Sequence, residues 1–521
     1  MSYDYIIVGA GSAGCVLANR LSGDGQHSVL ILEAGGPDKR MEVHMPAGFP
    51  KLFKSAVDWN YTTEPQKHVN GRKLYWPRGK MLGGSSSINA MIVQRGSRAD
   101  YDQWAEMGNE EWGYEDVLPY FKKMENNEDG ANRYHGVGGP YNVADLRDPN
   151  PLSQAFVEAA VQIGLPRNTD FNGETQEGVG LYKVNQKGGK RNSTAVGYLK
   201  PALKRPNLTA KTEALATKLL FDGKRCTGVR YEKDGQTHEV KVNKEVILSG
   251  GAINSPQLLL LSGIGNGDEL QEMGIEVVMD LPGVGQNLQD HLALLMNYQC
   301  SQPVSLASAE SIGNLFKYFV QRKGMLTSNI GEAGGFVTLD PESPMPELQY
   351  HFSPTYYVNH GFDNPQGHGF AIGPTLVRPK SVGHLKLRSA DPRTYPILEP
   401  NYLSDEYDMD ILLQGVRMGR KIANAPALQP YNAAEFMPGE QVQSDDEVRD
   451  WIRETVVTLY HPVGTCKMGG DLMAVVNSKL QVHGVAGLRV VDASIMPQIV
   501  NANTNAPTIM IGEKAADMIL G

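Results

Sequence analysis

The order of apolar and polar positions predicts a strand, a helix and a second strand at the start of the chain. Residues 5–8 form a short apolar run, and apolar residues recur at helical spacing over residues 12–22. Residues 29–32 are another apolar run of strand length. This order of elements is typical of an α/β fold whose strands are parallel and buried.

Two later segments repeat this pattern and predict further parts of the same unit. Residues 244–249 indicate a buried strand that leads through two glycines into a helix over residues 254–262. Residues 487–492 indicate another strand, and an apolar helix follows from Pro507 to the end of the chain.

The pattern changes between about residues 295 and 450. Residues 347–352 and 383–388 alternate as antiparallel strands do when one face packs on a core, and residues 408–423 have helical spacing. The sequence therefore predicts an antiparallel sheet with helices, interleaved with the α/β part as a substrate domain. The expected boundaries are 1–155, 190–294 and 451–521 for the α/β domain, and 156–189 and 295–450 for the substrate domain.

The turn after the first predicted strand has the spacing of a dinucleotide-binding loop. Gly9 allows the tight turn, Gly11 lets the backbone approach a pyrophosphate, and Gly14 allows helix and strand to pack closely. Glu33 ends the next strand, where a carboxylate can accept hydrogen bonds from a ribose. The start of the following helix supplies amide donors for the phosphates. We therefore expect a Rossmann-like, dinucleotide-binding domain.

Composition narrows the class of partner. Hydrophobic residues make up 41% and charged residues 21% of the 521 residues, and the net charge of −9 disfavours nucleic acid as a main partner. Four widely spaced cysteines favour a reducing compartment, and we expect a cytoplasmic protein. No apolar run is long enough for a transmembrane helix, and peripheral membrane contact stays open.

Three other segments carry candidate chemistry. Residues 76–89 contain two glycines and three serines between apolar flanks, which suits a buried loop against a ligand. Pro462 keeps His461 out of the helical region, so its imidazole lies on an extended or turn backbone. Residues 501–507 form a polar loop directly before the last helix. Either of the last two segments alone is also compatible with a purely structural role.

Taken together, these segments resemble the glucose-methanol-choline (GMC) family of flavin oxidoreductases. Residues 78–89 and 250–265 look like the two signatures of that family, and residues 283–291 match a further family segment. Tyr-His-Pro-Val-Gly-Thr-Cys at 460–466 and Asn-Thr-Asn-Ala-Pro at 503–507 are similar to bacterial alcohol dehydrogenases and choline dehydrogenases of the family.

The resemblance implies an FAD cofactor and an alcohol-oxidising site. It implies that His461 is the base that removes the hydroxyl proton while hydride passes to flavin N5, and that Asn505 is its partner. Ile88 stands where some relatives have a histidine that binds FAD covalently, so we expect non-covalent FAD. The residues expected to contact FAD are Gly9, Gly11, Ser12, Ala13, Gly14, Glu33, Ala34, Met81, Gly84, Asn89, Ala216, Asp492 and Ala493.

The reaction expected from the resemblance is oxidation of a primary alcohol to an aldehyde. Choline is the main alternative substrate, and an FAD-containing hydroxynitrile lyase is the alternative from another class. The histidines show no spacing typical of a metal site, so we expect no metal. The electron acceptor, whether oxygen, a quinone or another carrier, is not indicated by the sequence.

Overall fold

A computed structural model describes residues 2–363 and 365–521 and contains two large β-sheets. The strands, in chain order, are β1 (Ser2–Val8), β2 (Val29–Leu32), β3 (Tyr61–Thr62), β4 (Tyr75–Trp76), β5 (Glu125–Asn127), β6 (Tyr141–Val143), β7 (Gly178–Leu181), β8 (Gln186–Lys187), β9 (Lys190–Arg191), β10 (Leu208–Lys211), β11 (Leu215–Asp222), β12 (Arg225–Lys233), β13 (Gln236–Leu248), β14 (Ile264–Gly265), β15 (Met279–Asp280), β16 (Leu292–Ala293), β17 (Met296–Cys300), β18 (Ala333–Val337), β19 (Leu348–Ser353), β20 (Gly369–Leu376), β21 (His384–Lys386), β22 (Ile397–Glu399), β23 (Asn432–Met437), β24 (Val457–Thr458) and β25 (Leu488–Val490).

Helices cover both sheets. They are α1 (Ser12–Leu21), α2 (Met41–His44), α3 (Arg98–Glu106), α4 (Tyr114–Met124), α5 (Pro151–Gln162), α6 (Lys200–Ala202), α7 (Gly251–Leu261), α8 (Gly267–Glu272), α9 (Ile312–Phe316), α10 (Glu406–Ala423), α11 (Asp445–Thr455) and α12 (Asn505–Leu520). In the part of the chain that the structure describes, no helix is both long and apolar enough to span a bilayer.

The first sheet has the strand order β10-β2-β1-β13-β12-β11, with β25 beside β13. Strands β10, β2, β1, β13 and β25 are parallel, whereas β11, β12 and β13 form an antiparallel meander. The long strand β13 joins the two parts: its first half pairs with β12, and its buried end lies between β1 and β25. The predicted α/β domain with a parallel, buried sheet is confirmed.

Backbone contacts explain why the turn between β1 and α1 needs glycine. Gly9 has a φ of +102°, and a Cβ atom there would lie 2.5 Å from the Ser249 carbonyl oxygen. A Cβ atom on Gly14 would lie only 2.0 Å from the Gly9 carbonyl oxygen. The start of α1 therefore packs against the turn at a distance that only glycine allows.

The second sheet is antiparallel, in the order β23-β17-β20-β19-β18-β7. Helix α10 packs on it, because Gly415 brings the helix backbone close to Pro374 and Leu348. The predicted strand at 347–352 and helix at 408–423 correspond to β19 and α10. The alternating run at 383–388 forms only the short β21, which pairs with β22 outside this sheet. The backbone N–H groups of Gly383 and Leu385 donate to the carbonyls of Leu288 and Gly285, so this run is held by a loop and not by the second sheet.

Two short strands join the halves of the molecule. β16 pairs with β20 of the second sheet and with β24, so that Leu292 lies opposite Thr458. Both strands belong to the second sheet, although the predicted boundaries place their residues in the nucleotide-binding domain. The predicted boundaries otherwise remain an expectation. His291 precedes β16 and His461 follows β24, so this pairing brings the two histidines together.

A buried charge network holds the segment that follows the serine-rich loop. The Arg95 guanidinium lies 2.9 Å from the Glu125 carboxylate, and both side chains are almost fully buried. His135 bridges them to Asp170, with its Nδ1 atom 3.0 Å from Glu125 and its Nε2 atom 2.9 Å from Asp170. Burial disfavours the charged form of His135, but the hydrogen bonds to Asp170 and Glu125 outweigh it and raise its pKa to about 9.

This network predicts a pH-dependent contribution to stability. A histidine whose pKa rises from 6.5 to about 9 on folding stabilises fully below pH 6.5, and the contribution is lost as the pH rises through about 9. We therefore expect the wild-type Tm to fall more between these pH values than the Tm of His135→Gln. Thermal unfolding across this range tests it, with His68→Gln as the control outside the network. Parallel Tm profiles for wild type and His135→Gln would contradict the charge assignment.

Candidate active site

A cavity of about 600 Å³ is lined by residues of both sheets. Its lining includes the glycine turn and Glu33 from the first sheet. The same lining includes His351 on β19, Ala293 on β16 and, after β24, His461. One continuous cavity therefore connects the predicted nucleotide-binding turn with the candidate catalytic histidine.

At the nucleotide-binding end, backbone groups hold the Glu33 carboxylate and the serine-rich loop closes on the glycine turn. The Glu33 carboxylate accepts hydrogen bonds from the backbone N–H groups of Ala10 at 2.9 Å and Gly35 at 2.8 Å. Burial outweighs these bonds and raises the pKa of Glu33 to about 7. Gly84 lies directly on the turn, because a Cβ atom there would be 2.8 Å from the Gly11 Cα atom. The serine-rich loop thus forms one wall of this end.

Most residues expected to contact the cofactor line this cavity. Those in its lining are Gly9, Gly11, Ser12, Ala13, Glu33, Ala34, Gly84, Asn89, Ala216, Asp492 and Ala493. Gly14 and Met81 do not belong to the lining. Gly14 lies behind Gly9 in the contact between turn and helix, and the Met81 side chain is fully buried in an apolar cluster.

The backbone of the His461 segment is fixed by one carboxylate. Asp290 accepts a hydrogen bond from the His461 backbone N–H at 2.7 Å, and the hydroxyls of Thr458 and Tyr402 donate to the same carboxylate. Burial raises the pKa of Asp290 to about 6 despite these bonds, and three donors that all point at its oxygens suit the ionised carboxylate. Tyr460 has a φ of +68°, a strained conformation that these contacts maintain.

The His461 imidazole lies between two polar side chains. Its Nδ1 atom is 3.0 Å from Nδ1 of His291, and its Nε2 atom is 3.4 Å from Nδ2 of Asn503. Burial lowers the pKa of His461 well below its usual range, and the nearby His291 and Arg78 lower it further. The ring is therefore neutral. When His461 donates from Nδ1 to His291, its Nε2 atom carries the lone pair and accepts the long hydrogen bond from the Asn503 amide.

Asn503, and not Asn505, is the neighbour of His461. The Asn505 side chain accepts a hydrogen bond from the Ser12 hydroxyl at 2.7 Å and lies 3.4 Å from the Tyr141 hydroxyl. Asn505 is the first residue of α12 and is held against the glycine turn, whereas Asn503 lies in the loop before the helix. The expected pairing of His461 with Asn505 is therefore corrected to Asn503.

Two further histidines at this site were not expected from the sequence. His291 is fully buried, and burial lowers its pKa to about 3, so it faces His461 as a neutral ring. His351 lines the cavity, donates or accepts through Nδ1 with the Thr375 hydroxyl at 3.1 Å, and has no hydrogen-bond partner at Nε2 among the described residues. Because both contacts are made across strands distant in sequence, only the fold brings these rings together.

Metal chemistry has no support at this site. Among residues 2–363 and 365–521, no group of three or more His, Cys, Asp or Glu side chains could hold a metal ion. The chemistry available to the chain's own residues is hydrogen bonding and proton transfer.

Comparison with known proteins places this geometry in a family. Two family models described as GMC oxidoreductase match residues 3–293 and 379–512. An alcohol dehydrogenase [acceptor] from Pseudomonas putida is 49% identical over 99% of this chain and 96% of its own. A mitochondrial choline dehydrogenase from Mus musculus is 48% identical over 100% of this chain and 89% of its own. The crystal structure of pyridoxine 4-oxidase from Mesorbium loti has a TM-score of 0.91 and 31% identity, and covers 99% of this chain and 98% of that one.

Proposed function

The chain belongs to the GMC oxidoreductase family, and on this basis we propose that it oxidises an uncharged primary alcohol to an aldehyde with His461 as the base. The observation that carries the proposal is the neutral His461, whose Nε2 atom lies beside the Asn503 amide in the lining of an apolar cavity. The reaction class is that of the family, oxidation at a CH–OH group, and the choice of alcohol follows from the side chains around His461.

FAD is the cofactor of this family, and the residues present fit it. Gly9, Gly11 and Gly84 line the cavity next to the start of α1, and a Cβ atom on Gly9 or Gly84 would collide with neighbouring backbone and shift this wall. When bound, FAD supplies the two-electron oxidation by accepting hydride. Ile88 lines the cavity with a hydrocarbon side chain that cannot form a covalent bond to it, which supports the prediction of non-covalent FAD.

His461 and Asn503 have complementary tasks in this proposal. A neutral His461 can accept the hydroxyl proton, a general-base effect typically worth about 10²–10⁴ in rate. Asn503 presents amide N–H groups beside the same nitrogen and can donate to the alcohol oxygen as negative charge develops on it. His351, whose Nε2 atom has no hydrogen-bond partner among the described residues, adds a further polar group to the same lining.

The side chains around His461 favour an uncharged substrate over choline. An apolar cluster lines the cavity next to it and contains Phe49, Phe53, Ile88, Ile330, Tyr357 and Tyr460. A quaternary ammonium is recognised by an aromatic cage, usually with a carboxylate. Among the described residues of the lining, the only carboxylates are Glu33 and Asp492, and both accept hydrogen bonds at the cofactor end. The Arg78 guanidinium further disfavours a cation near His461.

The relatives do not separate the two substrates, because an alcohol dehydrogenase and a choline dehydrogenase are similar to this chain to nearly the same degree. The electron acceptor is likewise left to experiment. The predicted cytoplasmic location is supported by the four cysteines, which form no disulfide among the described residues.

The substrate proposal is tested by a matched pair of alcohols. Choline and its uncharged isostere dimethylbutanol, in which a tert-butyl group replaces the trimethylammonium group, are each mixed anaerobically with the holoenzyme. The flavin absorbance near ~450 nm is followed in both experiments. We expect dimethylbutanol and linear primary alcohols to bleach the flavin, and choline to do so at least about tenfold more slowly, because no carboxylate faces the cation.

Two other outcomes of this experiment would change the assignment of substrate or of reaction. Faster bleaching by choline overturns the choice of substrate but leaves alcohol oxidation intact. Flavin that is bound but not bleached by any alcohol contradicts the redox assignment and supports the hydroxynitrile lyase alternative, which release of an aldehyde from a hydroxynitrile would then test.

Two asparagine variants distinguish the catalytic partner from its neighbour. Asn503→Ala removes the donor beside His461, and we expect the rate of flavin reduction to fall by about 10²-fold with flavin content unchanged. Asn505→Ala removes the acceptor for Ser12, and we expect weaker FAD retention with a near-normal rate per bound flavin. Stopped-flow reduction and flavin-to-protein ratio measure both effects. Slow flavin reduction in Asn505→Ala together with a near-normal rate in Asn503→Ala would instead support the pairing of His461 with Asn505 that the sequence predicts.

A glycine variant tests the steric basis of FAD binding. Gly14→Ala places a Cβ atom against the Gly9 carbonyl, so the turn must shift, and we expect lower flavin content and a lower Tm. Gly313→Ala is the matched control, since it is also helical and a Cβ atom there meets nothing within 4 Å. Full flavin content in Gly14→Ala would show that the close packing is not required.

A further inference from the structure

Helix α9 and the π-helical turn that continues it, Lys317–Gln321, expose an unusual apolar stripe. The exposed fractions are 87% for Ile312, 36% for Leu315, 61% for Phe316, 48% for Phe319 and 63% for Val320. These positions follow the i, i+3, i+4, i+7, i+8 spacing of one helix face. In an ordinary surface helix such a face is turned to the core, and here it is turned to solvent.

The opposite face attaches the segment to the protein. The Tyr318 side chain is 2% exposed and packs in a small apolar cluster with Met45 and Leu326. Asn314 donates from Nδ2 to the Ser308 carbonyl at 2.9 Å. The exposed stripe is therefore the outer side of an anchored helix, and its orientation is set by these inner contacts.

The charge of this segment is opposite to that of the whole chain. Residues 311–327 contain Lys317, Arg322 and Lys323 and no acidic residue, whereas the chain has a net charge of −9. None of the three cations forms an ion pair with another described residue. The Arg322 guanidinium lies 4.9 Å from the Tyr318 ring, and the two lysines have no acidic partner among the described residues. An exposed apolar stripe with such cations in and after it is the composition of a helix that lies in a lipid interface.

We propose that this segment, Ile312 to Lys323, binds the surface of an anionic phospholipid bilayer. The apolar side chains of the stripe would enter the boundary between headgroups and acyl chains. The cations of the segment would lie at the level of the anionic headgroups, where each basic residue adds to the attraction. The chain then contacts the membrane from one side without crossing it.

A second copy of the chain is a less suitable partner for the exposed stripe than an anionic bilayer. A symmetric dimer through the stripe would bring the same patch of both subunits together. Lys317 and Lys323 of each copy would then approach their counterparts without an acidic partner in the segment, and this repulsion opposes the contact. An anionic lipid surface instead neutralises these charges.

The stripe lies near the apolar part of the active-site cavity. Its anchor cluster includes Met45, and the following turn, Pro46–Leu52, contributes Phe49 to the cavity lining. Lys51 of that turn pairs with Glu310, just before α9. A membrane-bound molecule would thus hold this part of the cavity wall next to the lipid. The inference does not depend on the proposed substrate, because it rests on the surface alone.

Vesicle flotation of the FAD-loaded protein tests the proposal. We expect wild type to float with vesicles of equal parts phosphatidylglycerol and phosphatidylcholine, and less with pure phosphatidylcholine. Ile312→Ser/Phe316→Ser should weaken binding by about tenfold or more, because two exposed apolar side chains are removed. Lys317→Gln/Lys323→Gln should abolish the preference for the anionic vesicles, and added salt should have the same effect.

The matched control is Leu472→Ser/Met473→Ser, which removes two exposed apolar side chains elsewhere on the surface and should bind as wild type does. Flavin content and turnover of a water-soluble alcohol show that each variant is folded. Absence of wild-type flotation, or equal loss in the control, would overturn the proposal. A wild-type dimer that the Ile312→Ser/Phe316→Ser variant dissociates, without vesicle binding, would assign the stripe to a second copy.

Discussion

The arrangement of the active site depends on the buried carboxylate of Asp290. It accepts hydrogen bonds from the His461 backbone N–H and the Thr458 hydroxyl, which belong to one segment, and from the hydroxyl of Tyr402, which belongs to another. A buried carboxylate must satisfy its oxygens inside the protein, so these donors are not interchangeable with water. His461 is in place because Asp290 fixes its backbone, and His291 is in place because it is the next residue.

Much of the fold follows from local patterns, because the strands and helices that matter are long or apolar. The βαβ start, the buried end of β13 and α12 are visible in the sequence, and the glycine turn follows from spacing alone. The first half of β13, which pairs with β12, was not predicted. β16 and β24 are two residues each, too short for any periodicity, and their pairing depends on contacts between distant segments. Their placement therefore could not be predicted.

The candidate site likewise combines residues that a local motif identifies with contacts that only the fold creates. The identity of His461 as a candidate follows from its motif, but the choice between Asn503 and Asn505 depends on where α12 begins. Two residues along a helix start turn a side chain by about 200°, which separates a cavity-facing amide from one held by Ser12. The pairing of His291 with His461 joins residues 170 positions apart and has no local signal.

These long-range contacts have a consequence for the order of events during folding. The bonds from Thr458 and Tyr402 to Asp290 span 168 and 112 residues, so they close only after most of the chain has collapsed. The glycine turn depends on distant residues as well, because Gly9 packs against Ser249 and the Ser12 hydroxyl donates to Asn505, 493 positions along the chain. The nucleotide-binding turn and the base are therefore both completed by the last segment of the chain, because Asn505 and His461 both belong to it.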